Sequence, residues 1–282
     1  MKAYLQLCKL RVAALLVAVA VVTYIVSSHG PLDVARLVLL ALAGGLACIG
    51  SALLNHYFDQ DIDRLMQRTK KRPLPSGRIT NPKAVFWMGL AVVASALAIS
   101  SLLGPVTTGY ILAGAVVYVV VYTLWLKRRS PTSTIVGGLS GSFAALAGWA
   151  ATGSQPEPAP FVLALVVFLW SPPHFWSFAL ANSADYQAAG VPMVPRRMAG
   201  GYVLGSAALL VLVSLSAFAV GAPFGWVYLG VTLMIGSAFL FLEGRLLVDS
   251  SSRAAWRGFK MSGVYLGSLL LALVFEGLRA AG

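Results

Sequence analysis

Residues 35–64 read ARLVLLALAGGLACIGSALLNHYFDQDIDR: an apolar run over 35–57 that passes without a break into amide, carboxylate and guanidinium groups. A bilayer-spanning helix needs about 20 mainly apolar residues. The run therefore predicts a membrane span whose last turn and extension carry Asn55, Asp59 and Asp63. These three recur at i, i+4 and i+8, so on a helix they share one stripe that drifts by only about 40° per step. Asp61 falls on another side of that helix, and His56 points off the stripe.

Equivalent apolar runs occur at 10–28, 84–103, 106–126, 133–152, 160–181, 201–221, 225–244 and 261–278, separated by Gly, Pro and Ser punctuation. The reading is an all-α, polytopic membrane helix bundle of nine transmembrane helices, forming a single domain over residues 1–282. Composition agrees: 59% of the residues are hydrophobic and 11% charged, with mean hydropathy +0.82, whereas soluble domains carry about 25% charged residues. The basic, apolar N-terminal segment reads as a retained first helix. Cys8 and Cys48 lack metal-like spacing and read as small buried hydrophobes.

The net charge of +12 would suggest nucleic acid in a soluble chain, but here loop placement explains it. Of the 21 Lys and Arg residues, all but Arg36 and Arg279 fall before helix 1 or in alternate connections, counting the first residues of the adjoining helices. By the positive-inside rule the N-terminus is cytoplasmic. Asp59, Asp61, Asp63, Asp185, Glu243 and Asp249 fall on that same face, so the candidate chemistry gathers on the cytoplasmic side. Walker loops, dinucleotide fingerprints, nucleophile elbows and zinc spacings are missing from the sequence, which sets aside ATP-driven transport and zinc or serine hydrolysis.

A bare DxxxD most often marks a solvated helix end. Here the stripe is followed by Arg64, Arg68, Lys70, Lys71, Arg72, Arg78 and Lys83, with no acid among them. Hard oxygen ligands suit Mg²⁺, which takes one or two carboxylates and completes its shell with water and substrate phosphates. Arg and Lys bind phosphate oxygens. The run Arg72-Pro73-Leu74-Pro75-Ser76-Gly77-Arg78 predicts an ordered turn. A second cluster, Trp170 to Asp185, places Pro172 and Pro173 inside a span, followed by His174, Phe175, Trp176 and Phe178. A histidine at such depth is a functional-site candidate by default, with hydrogen-bonded packing as the bland reading.

Asn55, Asp59 and Asp63 followed by Arg-Pro-Leu-Pro-Ser-Gly at 72–77 resemble the UbiA-type intramembrane prenyltransferases. Arg68-Thr-Lys-Lys, Tyr122-Thr-Leu-Trp-Leu-Lys127-Arg128, Pro173-His-Phe-Trp and Asp185-Tyr-Gln-Ala-Ala-Gly-Val-Pro most resemble the heme-farnesylating branch of that superfamily. Lys9-Leu10-Arg11 departs from the Lys-Pro-Arg usual there. The resemblance implies transfer of farnesyl from farnesyl diphosphate to a vinyl group of protoheme IX with addition of water, giving heme O and diphosphate. It implies Mg²⁺ on Asn55, Asp59, Asp63 and Asp185, which are also the catalytic residues. It assigns diphosphate binding to Arg68, Lys71, Arg72 and Lys127, and heme binding to His174, Trp176 and Tyr186. Beyond protoheme IX, farnesyl diphosphate and membrane lipid, it implies a heme A synthase or a terminal oxidase as neighbour, no nucleic acid, and a bacterial inner membrane location. The competing readings are a quinone-type aromatic acid prenyltransferase and, further off, a non-enzymatic membrane transporter.

Overall fold

A computed structural model of the chain describes residues 2–281, and every regular element among them is helical. A short α1 (Lys2–Leu7) precedes α2 (Leu10–Val26) and α3 (Val34–Phe58), which runs on into the short α4 (Gln60–Leu65). Next come α5 (Pro82–Ser101) and α6 (Pro105–Val116), the latter continuing as a π-helix over Val117–Leu126. The remainder comprises α7 (Ser133–Ala150), α8 (Pro158–Ala181), a short α9 (Ser183–Ala188), α10 (Arg196–Ser216), α11 (Trp226–Gly244) and α12 (Ser252–Ala281).

The starts follow local chemistry. Asp33 caps α3 by accepting from the Arg36 amide at 3.0 Å, and Asn81 caps α5 by accepting from the Ala84 amide at 3.1 Å, with Pro82 in the first turn. A helix occupies each of the nine apolar runs. Seven are long and apolar enough to cross a membrane: α3, α5, α6 with its π continuation, α8, α10, α11 and α12. Of the other two, α2 has 17 residues and the 18-residue α7 is diluted by Gly and Ser. Leu112, Val116, Val120 and Leu124, four apart along α6 and its continuation, are all exposed. Such an apolar stripe belongs against lipid rather than water.

α2 lies against α3, α7 and α12, while α8 packs on α7, α10 and α12. Leu163 and Trp170 of α8, Leu266 and Leu269 of α12, Tyr228 and Phe239 of α11 and Val19 of α2 belong to one buried apolar cluster. Small residues set the closest approaches, as expected where helices meet without water to drive them together. Gly148 of α7 rests on the Ala20 carbonyl of α2, where any Cβ would overlap the oxygen. Gly148→Ala is therefore expected to lower stability by about 1–3 kcal/mol through overpacking, read as a fall in the melting temperature of the detergent-solubilised protein.

Candidate active site

A cavity of about 420 Å³ lies between α2, α3, α6, α7, α8 and α12. Its walls are largely apolar, and its polar groups converge where α3 stops, the arrangement of a small-molecule site. Asn55, Asp59 and Asp63 all line it, with exposures of 2%, 1% and 2%. The helix carrying them is interrupted: α3 ends at Phe58 and Asp59 is its cap. The Asp59 amide nevertheless donates to the Asn55 carbonyl at 2.9 Å, and the Asp63 amide to the Asp59 carbonyl at 2.8 Å. The four-residue spacing thus survives the break, and the predicted stripe faces the cavity.

Each of the three meets a cation from a distant segment. Lys127 Nζ lies 2.5 Å from Asp59 Oδ2, and Arg72 Nη1 lies 2.7 Å from Asp63 Oδ2. Lys9 Nζ donates to Asn55 Oδ1 at 2.5 Å and to the Tyr118 hydroxyl at 2.9 Å. Asn55 Nδ2 in turn donates to Asp59 Oδ2 and to Thr123 Oγ1, at 2.7 and 3.0 Å. Asp59 Oδ1 is buried with no hydrogen-bond partner. Buried polar atoms are normally satisfied, and an orphaned carboxylate oxygen beside a second carboxylate and an amide oxygen is the donor set a hard divalent cation takes. The described residues hold no cluster of three or more His, Cys, Asp or Glu side chains that could bind a metal alone. A Mg²⁺ here would need further oxygens from outside the side-chain set, which fits its habit of keeping several waters and completing its shell with phosphate oxygens.

Sequence reasoning missed Lys9 and Tyr118. Among the described residues Lys9 is the one non-glycine with positive φ, at 45°, in the break between α1 and α2. A lysine in the left-handed region costs conformational energy, and such strain gathers at functional sites. Here the strained turn aims Nζ at Asn55. The π-helix performs the corresponding task from the other side, since its wider i→i+5 turns are frequent at functional sites. It presents Tyr118, Tyr122 and Lys127 to the cavity and Thr123 to Asn55. His56 also differs from its sequence reading: it is 2% exposed, its Nδ1 lies 3.9 Å from Asp63 Oδ2, and neither ring nitrogen has a hydrogen-bond partner. Seven residues apart at about 100° each, His56 and Asp63 fall on nearly the same face of the helix, so the drift of the stripe brings its last carboxylate over His56.

The loop after α4 is ordered, as its prolines suggest. Ser76 N donates to the Arg72 carbonyl and Ile79 N to the Pro73 carbonyl, Gly77 turns with φ 73°, and Leu74 and Ile79 are buried with Leu7, Leu53 and Val85. Arg68 and Arg72 of this loop line the cavity, Arg68 with its guanidinium 5.0 Å over the Phe178 ring. Lys71 does not reach it; the side chain is exposed and its carbonyl accepts from Arg78. Asp185 is likewise off the cavity. Its Oδ1 and Oδ2 accept from the backbone amides of Gln67 and Arg68, at 2.9 and 3.1 Å, so the carboxylate is engaged in tying α9 to the loop that carries Arg68.

On the α8 wall stands His174, stacked on Trp170 at 4.1 Å with Phe259 tilted against it at 4.3 Å. Its Nδ1 is 2.7 Å from Ser262 Oγ on α12. Trp176, two residues on, points elsewhere: it lines a separate pocket of about 190 Å³ and packs edge-on against Tyr202 of α10. Residues two apart on a helix face different directions, so His174 and Trp176 do not share one pocket. Tyr186 does line the main cavity, and burial pushes its hydroxyl above the usual tyrosine range, keeping it a neutral donor.

Asp61 faces outward and pairs with Arg128 through two contacts of 2.6 and 2.7 Å. The Arg128 guanidinium holds the Asp61 carboxyl below the usual carboxylate range. The pair thus contributes stability above the unfolded value of about pH 4 and loses it as pH falls further. With side chains 60% and 39% exposed, that contribution stays below about 1 kcal/mol. Asp61→Asn is expected to leave substrate binding unchanged and to flatten only the acid limb of the stability profile, measured by thermal melts between pH 3 and pH 7.

The sequence pattern of the UbiA prenyltransferase family matches residues 15–266. The chain belongs to the UbiA prenyltransferase family. It is 38% identical over 275 residues to protoheme IX farnesyltransferase 1 of Paramagnetospirillum magneticum, covering 96% of each chain. It is 37% identical over 283 residues to protoheme IX farnesyltransferase 1 of Cenarchaeum symbiosum, covering 96% of this chain and 94% of the relative. Among solved structures, a digeranylgeranylglyceryl phosphate synthase matches with TM-score 0.81 at 19% identity, over 99% of this chain and 98% of the other. A UbiA homologue from Archaeoglobus fulgidus bound to DMAPP and Mg²⁺ matches with TM-score 0.73 at 18% identity, over 96% and 98%. At those identities the likeness is one of fold. With seven span-length helices among the described residues, this UbiA-family chain is an integral membrane prenyltransferase.

Proposed function

We propose that the protein transfers farnesyl from farnesyl diphosphate to a vinyl group of protoheme IX, with addition of water, giving heme O and diphosphate. The observation that carries this reading is the cavity itself: a buried carboxylate–cation cluster and a stacked histidine with a free ring nitrogen open into one apolar compartment. Near-full-length relatives named protoheme IX farnesyltransferase support the choice of acceptor.

In this reading Asn55, Asp59 and Asp63 hold Mg²⁺, which when bound would supply positive charge that stabilises diphosphate as a leaving group. Arg72, Lys127 and Arg68 bind its oxygens, and Lys9 joins them. Breaking the C1–oxygen bond leaves an allylic cation on the farnesyl chain. The apolar walls keep bulk water from that cation until its C1 bonds to the terminal vinyl carbon. The positive charge then sits on the carbon next to the porphyrin, where one water adds its oxygen and releases a proton. His174 and Tyr186 hold heme at the α8 side. Asp185 serves by fixing the loop that carries Arg68, while Trp176 and Lys71 lie outside this constellation. The enzyme works in a bacterial inner membrane with its diphosphate end at the cytoplasmic face, and hands its product to a further heme-modifying enzyme or a terminal oxidase.

The test is to incubate membranes containing the protein with protoheme IX, farnesyl diphosphate and Mg²⁺ and to look for hydroxyethylfarnesyl heme by chromatography and mass spectrometry. Chelation of the metal is expected to stop product formation, and added Mg²⁺ to restore it. Folded protein that yields no farnesylated heme but prenylates an aromatic acid would transfer the assignment to the quinone-type reaction.

A further inference from the structure

Ser262 lies on α12, in a span that the sequence leaves without any functional mark. It is fully buried, and its Oγ has two close neighbours, His174 Nδ1 at 2.7 Å and the Phe259 carbonyl oxygen at 2.7 Å. A hydroxyl has one proton. If that proton went to Nδ1, the hydroxyl oxygen and the Phe259 carbonyl would face each other as two acceptors. Both contacts are satisfied when Ser262 donates to the carbonyl and His174 Nδ1–H donates to Ser262. That arrangement fixes the neutral imidazole as the Nδ1–H tautomer and leaves Nε2 with a lone pair.

Three aromatic rings surround the imidazole, Phe175 meeting it edge-on at 5.4 Å. Trp170 stacks on it at 4.1 Å and Phe259 tilts against it at 4.3 Å, and the Trp170 indole donates to the Ser262 carbonyl at 2.7 Å, locking α8 to α12 at this turn. His174 lines the cavity. Among the described residues none forms a hydrogen bond to Nε2.

We propose that Ser262 is a positioning residue for the acceptor substrate: by holding His174 in the Nδ1–H tautomer it aims the Nε2 lone pair into the cavity as the ligand for heme iron. Neutral imidazole is a common iron ligand, and the hydrogen bond made by its other nitrogen sets which nitrogen binds. The inference rests on the heme reading above.

The experiment titrates purified protein in detergent with ferric protoheme IX. It reads affinity from the Soret band and the iron–nitrogen bond by electron paramagnetic resonance and resonance Raman spectroscopy. Ser262→Ala is expected to weaken heme binding by about tenfold, the lower end of the range for losing such a supporting partner, and to weaken the histidine-ligation signature. Ser262→Thr, which keeps the hydroxyl, restores both, and farnesyl diphosphate binding is unchanged in either variant. A Ser262→Ala protein with wild-type affinity and an unaltered iron–nitrogen signature overturns the proposal. So does a His174→Ala protein that keeps that signature, and in that case the heme reading still stands. Wild-type protein that binds no heme under conditions where it binds farnesyl diphosphate overturns the heme reading and this inference together.

Discussion

Asp59→Asn is expected to reduce prenyl transfer by at least about a thousandfold, the upper end of the loss when one preorganised electrostatic partner is removed from a reacting centre. Asp59 is 1% exposed, carries the orphaned Oδ1, and binds Asn55 and Lys127 through Oδ2. The amide keeps the shape and some of the hydrogen bonding but removes the charge that would hold the metal. Asp59→Ala is the harsher variant. It strips Lys127 of its partner, and breaking a buried ion pair from one side costs about 3–5 kcal/mol, so lost activity there could reflect lost folding. Asn is therefore the decisive change, with a thermal melt to confirm that the protein is folded. Retention of more than a tenth of wild-type turnover at saturating Mg²⁺ would remove Asp59 from the site.

The second large effect is at the α8 wall. His174→Ala is expected to weaken heme binding by about a hundredfold or more, at or beyond the top of the range seen when only a supporting partner of a metal ligand is lost. Farnesyl diphosphate binding should stay within a factor of two or so of wild type, because the residues that bind it in this reading lie on other segments. Folding should tolerate the change: Ser262 keeps its bond to the Phe259 carbonyl, and the Trp170 indole keeps its bond to the Ser262 carbonyl. Parallel titrations with protoheme IX and with farnesyl diphosphate check both halves. Equal heme affinity in the two proteins would remove His174 from the acceptor site.

The helical bundle and the Asn55–Asp59–Asp63 stripe were legible because both depend on periodicity along one segment, and a four-residue spacing survives even the break at Asp59. Lys9, Arg72 and Lys127 could be counted as cations but not paired, since their partners lie 46, 9 and 68 residues away. Tyr118 and Lys127 illustrate a sharper obstacle. Nine residues apart at about 100° each, they would sit on opposite faces of an α-helix, and only a π-helix turns both toward the cavity. Trp176 is the reverse case: helical arithmetic alone separates it from His174, and the motif resemblance obscured that. Ser262 had no signal to read, because its meaning arises only where α12 packs on α8.

The chain carries its own counter-charges. Lys9, Arg72 and Lys127 occupy oxygens of Asn55, Asp63 and Asp59, so the buried carboxylates draw their counter-charges from the chain's own side chains. In the reading proposed above, a metal held by those carboxylate and amide oxygens would displace the same ammonium and guanidinium groups, leaving Lys9, Arg72 and Lys127 available to phosphate oxygens.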